Sequence, residues 1–208
     1  MSQTIDHLVY AVPDLETGVN EMERLLGVRA APGGKHTDRG THNALLSLGL
    51  GVYLEIIGPD PDQPDPDQPR AFGIDTLHEP RLFTWPVRVH DIEARAQASR
   101  KAGYDPGIVL PMSRTLPDGT TLRWKLTWRE NMSGDGLVPF LIQWETADHP
   151  SRTAPAGCSL LDLEAEHPHP EAIQPMLDAL GVDIQVSEGG RPALLATIEC
   201  PRGTVVLS

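Results

Sequence analysis

The amino-acid sequence predicts an α+β protein built from repeated βαβββ modules, two of them paired around a cup-shaped site and a third, shorter one added. Three observations predict this. A strand, helix, three-strand pattern occurs three times along the 208 residues, and a repeat of that length is a structural unit in its own right. Each predicted helix closes on a glycine, at Leu26-Gly27, Ala102-Gly103 and Leu180-Gly181, and each unit carries a Gly-Thr step (Gly40-Thr41, Gly119-Thr120, Gly203-Thr204). Two proline-rich joints punctuate the repeats. The expected organisation is a first module over 1–58, a Pro/Asp-rich linker over 59–81, a second module over 82–148, and a linker with the third module over 149–208.

The elements follow in order. Ile5 to Ala11 is an apolar strand, and Pro13-Asp14 opens a helix whose Leu15, Val19, Met22, Leu25 and Leu26 share one face, with Gly27 as its stop. Gly40 to Leu46 and Val52 to Ile57 are the later strands of this unit. His36 falls in Gly33-Gly34-Lys35-His36-Thr37-Asp38-Arg39-Gly40, a glycine-rich stretch predicted to be a loop able to lid the cup. Pro59 to Pro69 alternates proline with Asp and Gln; missing backbone donors and fixed φ forbid helix or interior strand, so an extended crossover is expected. The second unit begins with a strand over Phe83–Val89 and continues with a more polar helix from Asp91 to Gly103. Leu122, Trp124, Leu126 and Trp128 alternate with Arg123, Lys125 and Thr127, giving one buried and one wetter face after the Pro117-Asp118-Gly119 turn. Phe140 to Trp144 is its last strand. After the joint His149 to Gly157, the third unit has strands at Leu160–Glu166, Ala193–Glu199 and Gly203–Leu207 and a helix from Pro170, with Pro175 a blemish inside it.

Composition sets the limits. A formal charge of −12 excludes a nucleic-acid partner of the usual basic-surface kind. No apolar run approaches the about 20 residues of a membrane span and no signal sequence opens the chain, so no membrane partner and a cytoplasmic location are expected. Cys158 and Cys200 read as two buried thiols. No nucleophile motif, phosphate loop or paired-cysteine zinc site is present.

An amphipathic helix covers one face of each small sheet, leaving a concave face; two such faces together make a cup where a small molecule would sit. All four tryptophans, Trp85, Trp124, Trp128 and Trp144, fall in the second unit. They are either core or an apolar wall for a flat ligand, with Trp85 and Trp124 the ligand candidates.

The stretches Ile5-Asp6-His7-Leu8-Val9-Tyr10-Ala11-Val12-Pro13-Asp14-Leu15, Gly33-Gly34-Lys35-His36, Gly40-Thr41-His42-Asn43-Ala44-Leu45, Tyr53-Leu54-Glu55-Ile56-Ile57, Pro139 to Trp144 and His149-Pro150-Ser151 resemble the vicinal oxygen chelate superfamily, and within it the glyoxalase-like domain proteins. That resemblance implies a divalent metal (Zn, Ni, Mn or Fe) held by a first-strand His and a last-strand Glu from each paired unit. His7 and Glu55 stand at those places in the first unit, with Glu55 also the catalytic candidate. The second unit departs from the pattern, with Trp85 in place of the His and Gln143, or Ile142 on a one-residue shift, in place of the carboxylate. A hydrogen-bonded polar pair without metal is the other reading of His7 and Glu55.

His42, Asn43, Arg114 and Gln143 complete the candidate substrate-binding set: His42 and Asn43 at a strand start, Arg114 to pin an anion, Gln143 to complete the site. Two functions are therefore expected: a metal-dependent lyase or isomerase chelating neighbouring oxygens of a small substrate, or a protein sequestering a small molecule without turnover, as bleomycin-binding proteins do. The odd third unit is expected to pack beside the pair or to meet its twin in a homodimer, its open edge being a liability otherwise.

Overall fold

In the computed structural model, residues 5–36, 39–49, 51–116, 119–129 and 132–208 are described. Thr37, Asp38, Pro117 and Asp118, which belong to the predicted lid loop and turn, lie outside them.

The first unit consists of β1 (His7–Ala11), α1 (Leu15–Leu26), β2 (Ala31–His36), β3 (Thr41–Ser47) and β4 (Tyr53–Pro59). The start and stop of α1 follow from local chemistry. The Asp14 carboxylate accepts from the Thr17 amide at 2.8 Å, and Gly27 takes the left-handed conformation (φ 80°) that ends the helix. Val19, Met22 and Leu26 face inward. The second unit consists of β5 (Arg81–Thr84), β6 (Pro86–Arg88), α2 (Ile92–Lys101), β7 (Ile108–Thr115), β8 (Thr121–Trp128) and β9 (Phe140–Trp144).

Both units join one nine-stranded sheet in the order β5-β1-β4-β3-β2-β7-β8-β9-β6. Within each half the first strand lies parallel to the last, β1 beside β4 and β6 beside β9. The halves meet at two seams. One is the pairing of Lys35 with Thr115 between β2 and β7; the other is a bridge between Ile5 and Val87, reinforced by the Asp6 amide donating to the Pro86 carbonyl at 3.0 Å. Contact at both ends bends the sheet round on itself and encloses a cup.

The strand predicted over Phe83–Val89 is in fact two. β5 pairs antiparallel with β1 of the first unit, and β6 pairs with β9 of the second, with Trp85 at the handover. A chain that changes partner between residues 84 and 86 cannot keep one alternation of faces throughout.

The third unit comprises β10 (Ser159–His167), α3 (Pro170–Leu180), β11 (Val186–Glu188), β12 (Ala193–Cys200) and β13 (Gly203–Leu207), and forms its own sheet in the order β11-β10-β12-β13. It packs on the pair from outside: α3 meets α2, β12 meets β5 and β13 meets α1. Leu163, Ile173, Leu177, Leu194 and Ile198 share one core with Leu26, Leu54, Trp85 and Leu141. Pro175 is accommodated within α3, whose Ile173, Leu177 and Leu180 stay buried.

The Pro/Asp-rich segment, expected as an extended crossover, folds back on the first unit. Asp60, buried, accepts from Gln63 and Lys35, and its amide donates to the Gly40 carbonyl. Arg70 then ties Asp65 and Asp75 (2.6 Å each) and the Gly40 carbonyl (2.8 Å) together. The prolines stiffen a strap; they do not release a linker.

Candidate functional site: a two-faced cup

The concave side of the curved sheet holds a cavity of about 320 Å³. Its floor and one wall come from the first unit through His7, His36, Thr41, Tyr53, Glu55 and Ile57. The opposite wall comes from the second unit through Leu110, Met112, Trp124, Leu126, Trp128, Phe140, Ile142 and Trp144, with Arg114 the charged residue among them. Pro66 to Phe72 of the strap close over the mouth. Phe72 holds a left-handed backbone (φ 63°), which its ring supports by packing on Phe83 at 5.8 Å.

At the floor, His7 is fixed by its neighbour. Asp6 is fully buried, and its Oδ1 lies 2.7 Å from His7 Nδ1. Its Oδ2 receives Arg88 Nε (2.6 Å) and Trp144 Nε1 (3.0 Å), and His149 Nε2 lies 3.1 Å away. Burial alone would raise the Asp6 pKa, but the hydrogen bonds and charges from His149 and His7 outweigh it and hold the carboxyl far below the usual range. An ionised carboxylate only accepts, so His7 donates from Nδ1, and Nε2 is left to face the cup. The ring stacks on Tyr53 at 4.6 Å. Asp6 thereby joins the first unit to Arg88 and Trp144 of the second and to His149 of the second joint.

Glu55 sits 3.5 Å from that Nε2 through its Oε2. Its other oxygen accepts from Asn43 Nδ2. The pairing Leu45↔Glu55 and Asn43↔Ile57 makes Asn43 and Glu55 diagonal neighbours on one face, within reach of each other. Burial opposes the charge on Glu55, but His7, His36, the Asn43 hydrogen bond and Arg114 together bring its pKa below the ordinary value, so it is an anion at neutral pH. His36 Nε2 lies 3.9 Å from Glu55 Oε1, and its Nδ1 lies 3.0 Å from Thr41 Oγ1. Burial pushes the His36 pKa down to about 4, so it is neutral. Asn43 Oδ1 in turn accepts from Arg114 Nη1 at 3.1 Å.

The structure thus gathers His7, Glu55, Asn43, Arg114 and Trp124 around the cup, and places three predicted site residues elsewhere. His42 is on the reverse face of β3, beside Leu15, Glu16 and Lys35, because successive strand residues alternate and Thr41 and Asn43 take the inner side. Trp85 is wholly buried, its indole N–H donating to the Leu137 carbonyl at 3.0 Å. Gln143 also points outward, its Oε1 accepting from the Ile92 amide (2.9 Å) at the start of α2. His36, expected on a lid loop, ends β2 inside the cup, and the strap is the lid. Strand alternation, with Lys35 outward and His36 inward, was the signal for His36. Asp6 has no such signal, since neighbours on a strand normally face opposite ways.

The registers also test the donor set for a divalent metal. His7 pairs with Tyr53 and Val9 with Glu55; in the second half Pro86 pairs with Phe140 and Arg88 with Ile142. Pro86 is therefore the counterpart of His7, and Ile142 that of Glu55, neither of which has a donor atom on its side chain. Among the described residues no group of three or more His, Cys, Asp or Glu side chains is placed to hold a metal ion. The residues do not fit the four-ligand centre that paired units of this kind imply.

Two βαβββ units paired around a shared cup define the vicinal oxygen chelate architecture. A family model described as a glyoxalase-like domain matches residues 5–181, and the chain belongs to that family. Among solved structures, a hypothetical protein from Staphylococcus aureus is similar over 99% of this chain and 84% of that one, with 16% identity and a TM-score of 0.64. Methylmalonyl-CoA epimerase from Mycobacterium tuberculosis is similar over 69% of this chain and 88% of that one (20% identity, TM-score 0.46). A methylmalonyl-CoA epimerase in complex with methylmalonyl-CoA and NH4+ covers 72% of this chain and 100% of its own (18% identity, TM-score 0.48). No curated protein matches the chain. No helix among the described residues is long and apolar enough to cross a membrane.

Proposed function

We propose that this glyoxalase-like protein binds a small amphiphilic molecule in its cup and transfers a proton at a carbon of that molecule, as in an isomerisation or elimination. The observation that carries the reading is His7, with Nδ1 bound to a buried carboxylate and Nε2 turned towards Glu55 at the polar end of a half-apolar cup. A carboxylate behind an imidazole fixes its tautomer and orientation, the arrangement that makes histidine an acid–base catalyst. His7 Nε2 takes the proton from one carbon of the bound molecule and returns it to another carbon or to the leaving group, the Glu55 carboxylate steadies the imidazolium formed in between, and the aromatic wall excludes water. This chemistry needs no donor from Pro86 or Ile142.

The apolar lining of the second unit favours a second reading, sequestration without turnover. One experiment separates the two. Chelator-treated protein is incubated in D2O with a panel of small carbonyl compounds and acids bearing acidic C–H bonds, and deuterium uptake is followed by NMR. Uptake is expected with the wild type and should fall by about 10²- to 10⁴-fold in both His7→Gln and Glu55→Gln. Binding without uptake would favour sequestration. Stoichiometric zinc, nickel, manganese or iron in protein purified without chelator, lost in His7→Ala, would overturn the metal-free reading.

A further inference from the structure

The same cup carries a charged group that proton transfer does not use. Arg114 is 4% exposed, and among the described residues only its Nη1 has a hydrogen-bond partner, Asn43. Nε and Nη2 are buried with no partner. Leaving charged donors unpaired in the interior is expensive, and folded proteins satisfy nearly all of them. The two orphans are not an arbitrary pair. Nε–H and Nη2–H lie on one edge of the planar guanidinium and point the same way, spaced to meet both oxygens of one carboxylate. One whole fork is therefore buried without a partner, on a residue that lines the cavity, while the remaining nitrogen is anchored.

The surroundings narrow what the fork would take. Glu55, an anion, stands one amide away through Asn43, which donates to it and accepts from Arg114. Of the charged residues that line the cup, Arg39, Arg70 and Arg114 stand against Glu55 and Asp67, which leaves one positive charge for a monoanion to balance and a dianion to exceed. Beyond the fork the wall is Met112, Trp124 and Ile142, apolar and partly aromatic. From this we infer that the cup's ligand is a monocarboxylate with a flat or apolar body: its carboxylate is clamped by Arg114 Nε and Nη2 and its body lies on the tryptophan wall. Asn43 is then the spacer that sets the carboxylate beside, and apart from, Glu55. The inference rests on the cup being a small-molecule site, and it holds whether or not the molecule is turned over.

Trp124, Trp128 and Trp144 line the cup, so intrinsic fluorescence reports occupancy. Titrating the protein with phenylacetate, phenylacetamide and phenyl phosphate compares a carboxylate with its neutral isostere and with a dianion. Phenylacetate is expected to bind at least about tenfold more tightly than the amide. In Arg114→Gln that ratio should collapse to near one, and in Arg114→Lys, which keeps the charge without the fork, it should fall between. Equal binding of acid and amide by the wild type overturns the carboxylate assignment and leaves the cup standing. Tighter binding of phenyl phosphate overturns it in favour of a phosphate site. If none of the three quenches the fluorescence up to millimolar concentration, the small-molecule reading of the cup falls with it. The wild-type comparison needs no variant to fold, and an unchanged near-UV circular dichroism spectrum qualifies the variants.

Discussion

The two halves of the cup are built on the same plan and furnished in opposite ways. Where the first unit puts His7, the second puts Pro86; where the first puts Glu55, the second puts Ile142. Tyr53 and Phe140 hold equivalent positions, the second unit retaining an aromatic ring and dropping the hydroxyl. The polar half is held by hydrogen bonds that fix tautomer and charge. The apolar half is held by ring packing, with Trp124 and Trp144 at 5.3 Å. A repeated unit supplies geometry twice, and this chain furnishes one copy with polar groups and the other with apolar surface. Arg114 crosses that division through Asn43 of the polar half, and Trp144 crosses it through Asp6.

The largest expected effect separates the tryptophans of the second unit from one another. Trp85 is wholly buried and its indole N–H is bonded to Leu137, so Trp85→Ala should cost about 3–5 kcal/mol in urea unfolding. Quenching by a cup ligand should survive wherever the variant is folded. Trp124→Ala should do the reverse, weakening ligand binding with a smaller stability loss, since Trp124 already faces the cavity. If Trp85→Ala removes ligand binding at nearly unchanged stability, the division into core and wall is wrong.

How far this was legible in the sequence follows from the same residues. The repeat, the caps at Asp14 and Gly27, and the places of His7 and Glu55 could all be read from local pattern, because each depends on neighbours in the chain. Trp85 and Gln143 could not. Their faces depend on where β5 hands over to β6, a register set by strands more than 50 positions away in the chain. A one-residue slip exchanges inside for outside. The strap reads in the sequence as an extended crossover because proline and aspartate look solvated; the ties of Arg70 and Asp60 are tertiary and leave no periodicity.

A smaller effect tests the polar half through pH. His36 has a pKa of about 4 in the folded chain against 6.5 for an ordinary histidine, because burial disfavours its charged form. Above pH 6.5 it is neutral in both states and adds nothing to the pH dependence. As the pH falls from 6.5 towards 4, the unfolded chain takes up the proton and the folded one does not, so stability should drop by on the order of 3 kcal/mol. Glu55 and Asp6, both held below the ordinary carboxylate range, lose their contribution only at lower pH. His36→Gln should flatten the slope between pH 6.5 and 4, measured by urea unfolding across that range. A slope unchanged in His36→Gln would mean that His36 is charged in the cup.

The smallest effect bears on the register itself. Gln143 and Ile142 are adjacent, and the structure gives the cup to Ile142 and the helix to Gln143, whose Oε1 accepts from the first amide of α2. An amide at a helix start has no partner within the helix, so the side chain acts as a cap from a neighbouring strand. Gln143→Ala should therefore cost about 1 kcal/mol of stability, the usual worth of such a cap, and leave the affinity for phenylacetate unchanged. Ile142→Ala should instead weaken ligand binding, because it removes part of the wall. If the two phenotypes are exchanged, β9 is out by one residue, a carboxamide rather than a sec-butyl group lines the cup, and the contrast between a polar and an apolar half no longer describes it.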